Sequence, residues 1–95
     1  MYIHRIADGL SAKDAFLNMQ QAERDWLSKT NQNSLFLNFK RYQILDLKKY
    51  NEPMENKNVI RKLLLKYNLK NNCCGCFLLA NEQYQFILPY EVETN

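Results

Sequence analysis

The spacing of apolar residues changes several times along this chain, and each change marks a predicted element. Tyr2 to Ala7 alternates weakly around Ile3 and Ile6 and stops at Asp8-Gly9, which predicts a short strand. Beyond it, Ala15, Phe16, Met19, Ala22 and Trp26 recur at three- and four-residue spacing, the stripe of an amphipathic helix. Lys13, Gln20, Gln21, Arg24 and Asp25 take its other side. Ser11 is the expected N-cap, with Asp14 three residues on as a weaker stand-in for the glutamate of a capping box. Leu10, just before the cap, is placed to staple onto Ala15, and the helix should fray by Lys29-Thr30.

Leu35, Leu37 and Phe39 alternate with polar neighbours, which favours a strand over 35–39. Residues 42–47 fit both periods, because short apolar runs do not settle their own spacing. Read as a second strand they place Tyr42 and Ile44 on one face, with Lys40-Arg41 as a bulge or tight turn; read as helix, Leu35, Phe39, Tyr42 and Leu45 line up. Asn51-Glu52-Pro53 centres a loop, since proline restrains the residue before it and interrupts a ladder. Asn58 then caps a second helix, Val59 to about Asn68, with Ile60, Leu63, Leu64 and Tyr67 inward. Two apolar runs, residues 74–79 and 84–88, flank the turn-forming Ala80-Asn81-Glu82-Gln83, the local signature of a β-hairpin stopped by Pro89. Asn68 to Asn72 is a polar break, and residues 89–95 are a peripheral tail.

These elements predict one α+β domain over residues 1–95, in the order β-α-β-β-α-β-β, with two helices on one face of a mostly antiparallel sheet. Inward positions include Ile3, Phe16, Met19, Trp26, Leu35, Phe39, Ile44, Leu64, Phe77 and Phe86. At 95 residues the chain is near the small end of what folds without staples, so each large apolar side chain matters. Two glycines and two prolines argue against a loop-dominated fold, and frequent asparagine enriches caps and turns.

Charge changes the picture more than composition does. Residues 1–30 hold four basic and four acidic groups, residues 31–70 nine basic against three acidic, and residues 71–95 three acids and no base. A basic middle suits an anionic partner. The bases Lys40, Arg41, Arg61, Lys62, Lys66 and Lys70 are the candidates for contacting nucleic acid or an acidic protein, as a face centred on residues 57–70. Tyr42, Tyr50 and Tyr90 are the aromatic contact candidates. Leu65 stands among these bases, on the nominally wet side of its helix.

Two clusters invite chemistry. Cys73-Cys74-Gly75-Cys76 offers three thiols, and a structural zinc site wants four ligands, so His4 would have to complete it from the far end of the chain. The same pattern reads more simply as small hydrophobes at the start of a strand, implying neither metal nor cofactor. His4, the only histidine, is the first residue to test for an acid–base hydrolase or ribonuclease, although such chemistry needs a second positioned group. No segment approaches the roughly 20 apolar residues of a membrane span, and clustered cysteines without a disulfide framework point to the cytoplasm. The reading adopted is a small protein-binding module, an inhibitor or adaptor of a larger macromolecular machine, with nucleic-acid binding as the alternative. Strand edges at 2–7 or 84–88 are where a partner or a second copy would pair.

Overall fold

The structure, a computed structural model, describes residues 1–70 and 72–92; the end of the predicted tail, 93–95, lies outside the described residues, as does one residue of the polar break. A four-stranded sheet carries one helix on each side. Strand β1 (His4–Asp8) leads into helix α1 (Ala12–Thr30), then a 3₁₀ turn (Leu35–Asn38), strand β2 (Arg41–Tyr50), helix α2 (Lys57–Tyr67), and strands β3 (Cys73–Leu79) and β4 (Gln83–Ile87). The α+β class and the element order follow the sequence reading. The strand order is β1-β4-β3-β2, antiparallel except for the parallel β2–β3 pair.

The hairpin β3–β4 forms the middle of the sheet, with Gly75 to Leu79 paired against Ile87 to Gln83. Its reversal puts Asn81 and Glu82 at positive φ, and the Gly9 N–H closes it onto the Glu82 carbonyl at 3.0 Å. Both glycines keep negative φ, and among the described residues asparagine fills four of the five positive-φ positions: Asn31, Asn68, Asn72 and Asn81. Asn31 and Asn68 end the two helices, each donating its N–H back to the carbonyl four residues earlier. The asparagine surplus thus takes the place that glycine usually fills.

The helices lie on opposite faces, not on one as the sequence reading had it. Cys74, Cys76, Phe86 and Leu88 pack with Ala15, Phe16 and Met19 of α1. The alternating residues Phe77 and Ile87 pack with Leu45 and with Ile60 and Leu64 of α2. Topology explains the correction. The chain crosses the sheet from β1 to β2 through α1, then returns from β2 to β3 through α2, and all three strands run parallel. Crossovers of one hand that travel in opposite directions must put their helices on opposite sides.

Three local expectations also give way. Residues 35–38 form a 3₁₀ turn, because Phe36 and Phe39, both buried and three apart, dominate the alternation of Leu35, Leu37 and Phe39. The Ser34 hydroxyl caps this turn by accepting from the Phe36 N–H, and the Gln20 amide donates to the Phe39 carbonyl at 2.6 Å. The cap of α2 is Asn56, not Asn58: its side chain accepts from the N–H groups of Asn58 and Val59, so the helix begins at Lys57. Leu10 turns outward, 81% exposed, because Gly9 brings the chain so close to Ala15 that a Cβ there would lie 2.5 Å from the Ala15 nitrogen.

Trp26 is the largest departure. It belongs to the inward stripe of α1 yet is 52% exposed. The 19 residues of α1 span about 28 Å, whereas five-residue β1 spans about 17 Å. The helix runs back along β1, Asn18 reaching Asp8 and Glu23 reaching Arg5, and then passes the start of the strand. No residue of α1 beyond Glu23 is buried, and Trp26 faces the side of the core where the sheet has already ended.

Candidate functional site

The strands β1, β2 and β3 all begin at the same end of the sheet, and that end gathers most of the candidate residues. The Asn72 carbonyl accepts from the N–H groups of both Lys40 (2.8 Å) and Arg41 (3.0 Å), while the Cys73 N–H bonds the Lys70 carbonyl at 3.3 Å. Arg41 pairs with Cys73 in register. Residues some 30 positions apart in sequence therefore share one corner, where Lys66 in the last turn of α2 also lies. Its ammonium sits 5.5 Å from the centre of the partly exposed Tyr67 ring. Lys40, Arg41, Lys62, Lys66 and Lys70 are all exposed, and among the described residues none has a carboxylate within ion-pair distance.

Arg61 belongs elsewhere. Its guanidinium donates to Glu91 at 2.7 Å, and Lys57 contacts the same carboxylate at 2.9 Å. These cations hold the Glu91 carboxyl down at about 2 and pin the C-terminal segment against the start of α2. The predicted basic face thus splits into a pair committed to structure and a free cluster at the other end of the helix.

The aromatic candidates fare differently again. Tyr42 is half-buried between Phe16 and Phe86, its ring centre 5.3 and 6.0 Å from theirs. Tyr50 stands edge-on to Phe77 and donates its hydroxyl to Asp46 at 2.6 Å. Neither is free to stack on a ligand. Tyr90 is exposed on the C-terminal segment. This end of the molecule also exposes Trp26, with Leu35 of the 3₁₀ turn, 46% exposed, between it and Lys40 in the chain. Sequence reasoning counted both as core. The signal that would have found Trp26 was length, since its helix is too long for the strand it packs on.

His4 and the two buried cysteines lie on opposite faces of the sheet. Cys74 and Cys76 point toward α1 and are fully buried, and burial raises both thiols, Cys76 up to about 12. Cys73 is half-exposed and also raised by desolvation. His4 points the other way, into a cleft of ≈ 320 Å³ with Tyr2, Met54, Glu55, Lys57 and Ile60. The sheet separates the imidazole from the buried thiols, so His4 does not complete a ligand set with them. Among the described residues, no group of three or more His, Cys, Asp or Glu side chains is placed to hold a metal ion. No described carboxylate or hydroxyl hydrogen-bonds the imidazole, although Glu55 shares its cleft.

Of the two strand edges expected to pair with a partner, residues 84–87 fall in β4, between β1 and β3, and offer no edge, and Leu88 is buried just beyond it. The true edges are β1 and β2, and both are blunted. On β1 the outward carbonyls of His4 and Asp8 accept from the side chains of Arg5 and Asn18. On β2 the Gln43 amide takes the Ile44 carbonyl, Asp46 takes the Lys48 N–H, and the register shifts twice. Side-chain caps, bulges and lysines are the usual devices against edge-to-edge pairing.

Set beside known proteins, the chain matches no family model, no curated protein and no solved structure. Among the described residues no helix is long and apolar enough to cross a membrane.

Proposed function

We propose that this chain is a small protein-binding module, an inhibitor or adaptor, that docks through the overhanging end of α1. The observation that carries this reading is the half-exposed Trp26, held on a rigid helix beyond the edge of the sheet. Tryptophan on a fixed backbone supplies a large contact area at little entropic cost and is enriched among residues that dominate binding energy. Leu35 extends the apolar centre, and Arg24, Asp25 and Lys29, all exposed on the same turns, form a polar rim. The blunted strand edges support docking by side chains over strand addition. The cytoplasm is the compartment proposed, in keeping with three free cysteines in one short stretch.

The test is affinity capture from the native host with wild-type protein and with Trp26→Ala. Wild type should recover a partner at near-stoichiometric level, and the variant should lose about 30-fold in affinity, the size of a 2 kcal/mol anchor. Trp26 is the chain's single tryptophan, so its emission should shift to the blue when the partner covers it. Recovery of no stable partner by wild type, or equal recovery by Trp26→Ala, would remove this reading.

A further inference from the structure

We infer that the corner formed by Lys40, Arg41, Lys66 and Lys70 is a second, separate binding surface, and that it takes the phosphate backbone of a nucleic acid. The inference does not depend on the role of Trp26. It rests on convergence. A lysine-rich helix alone is ordinarily a solvated face, but here two distant stretches of chain, 40–41 and 66–70, deliver cations to one end of the sheet. Lys40 and Arg41 are held by their own backbone N–H groups on the Asn72 carbonyl, Lys70 by its carbonyl on the Cys73 N–H, and Lys66 by the last turn of α2. Their positions are thus fixed by main-chain hydrogen bonds. Lys62, four residues before Lys66, continues the row along a helix that carries no acidic residue.

Folding explains part of this charge and leaves most of it over. The C-terminus of α2 carries about half a negative charge, which one lysine in the last turn satisfies. Where the fold needs its cations it supplies a carboxylate: Arg61 and Lys57 share Glu91, and Arg5 pairs with Glu23. At the corner no described carboxylate lies within ion-pair distance of these cations, so their positive field is left for an anionic partner.

The chemistry favours phosphates over bases. Lysine is a compact, strongly hydrated point charge that suits phosphate without reading sequence, and only Arg41 brings a planar fork. Tyr67, partly exposed beneath Lys66, offers one ring for stacking against an unpaired base. The resulting expectation is binding that is sequence-tolerant and strongly salt-dependent. The corner lies on the β2 edge with α2, whereas Trp26 lies on the β1 side with α1, so both surfaces can be occupied together. That arrangement is what an adaptor of a nucleic-acid machine requires.

The experiment is fluorescence anisotropy of the full chain with labelled single-stranded DNA, single-stranded RNA and duplex DNA of mixed sequence, from about 25 to about 200 mM salt. Four phosphate contacts predict a log–log salt slope of about −3.6 on duplex and about −2.8 on a single strand. Lys66→Gln and Lys70→Gln should each reduce the slope by about one, with circular dichroism unchanged. Lys13→Gln, on the exposed side of α1, should leave it unaltered, as should Trp26→Ala. No binding of any of the three at the lowest salt overturns the inference. So does binding that Lys66→Gln and Lys70→Gln leave intact, or polyglutamate competing as well as nucleic acid, which would assign the corner to acidic proteins. Because Trp26→Ala is read separately, failure here leaves the protein-binding reading standing, and the reverse.

Discussion

The two layers on either side of the sheet are built by different means. The α1 layer is aromatic: Phe16, Phe36, Phe39 and Phe86 are buried there, with Tyr42 half-buried among them. The α2 layer is aliphatic around one buried ring, with Leu45, Ile60, Leu64 and Ile87 against Phe77. Its polar ties reach outward, to the 51–56 loop and the C-terminal segment, whereas those of the α1 layer (Arg5–Glu23, Asn18 and Gln20) join α1 to the adjacent strand and turn. Gln85, fully buried in β4, donates its amide to the Met54 carbonyl at 2.9 Å and accepts from the Met54 N–H at 2.7 Å, and so straps the 51–56 loop to the sheet. Glu91 holds the C-terminal segment to Lys57 and Arg61. In a domain this small, neither core is large, and the thinner one is completed by hydrogen bonds and charge. One layer should therefore respond to lost volume, and the other to lost polar partners and to pH.

The largest effect should come from the aromatic side. Phe86→Ala removes a ring that lies 5.6 Å from Phe16 and 6.0 Å from Tyr42, whereas Phe77 has one aromatic neighbour, Tyr50 at 5.9 Å. Truncating a buried phenylalanine costs about 3–5 kcal/mol, and each aromatic pair adds about 0.5–1.5 kcal/mol. Urea unfolding should place Phe86→Ala below Phe77→Ala by about 1 kcal/mol. Equal losses, or the opposite order, would erase the proposed difference between the cores.

Gln85→Leu comes next and probes the other layer. Leucine fills the space but leaves the Met54 N–H and carbonyl without their partner, at about 1–3 kcal/mol for a buried unsatisfied group. Met54 is only half-buried, so water recovers part of that, and a net loss of about 1–2 kcal/mol is expected. The damage should be local: hydrogen exchange at Met54 should accelerate far more than exchange at Phe86. Uniform acceleration would mean that the strap is not a separate tie.

The difference between the layers was only partly legible in the sequence. The α1 stripe and the β3–β4 hairpin were legible because their signals are local, a cap with a 3.6-residue period in one case and two apolar runs about a turn in the other. The 3₁₀ turn was not, since Leu35, Leu37 and Phe39 alternate as a strand would while Phe36 and Phe39 carry the burial. Nor was the placement of helices on opposite faces, which depends on β2 pairing with β3 at the far edge of the sheet and not with β1. The same pairing creates the basic corner. The sequence grouped Lys40-Arg41 with the bases of α2 on charge alone; the pairing of β2 with β3 ties Lys40-Arg41 to the Lys70 end of α2 at Asn72 and leaves Arg61 elsewhere. Gln85 gave a faint signal, a polar residue between Tyr84 and Phe86 in a strand otherwise read as core.

The smallest effect tests whether pH sensitivity belongs to the α2 layer. The Glu91 carboxyl is held at about 2, against an ordinary value near 4.5, first by its hydrogen bonds to Lys57 and Arg61. Its folded form binds a proton less readily than its unfolded form, so its contribution is fully present above about pH 4.5 and is lost as pH falls toward 2. Glu91 is only partly covered by protein, and solvent screening keeps that contribution small. Wild type should therefore melt slightly above Glu91→Gln at pH 6, and the gap should close between pH 4.5 and 2. The Arg5–Glu23 pair of the α1 layer makes the contrast sharper, because Glu23 is buried while Glu91 is not. Removing the Glu23 carboxylate leaves Arg5 packed on Phe36, 5.1 Å away, without its described ion-pair partner. A difference between wild type and Glu91→Gln that persists unchanged from pH 6 down to pH 2 would detach pH sensitivity from this tie.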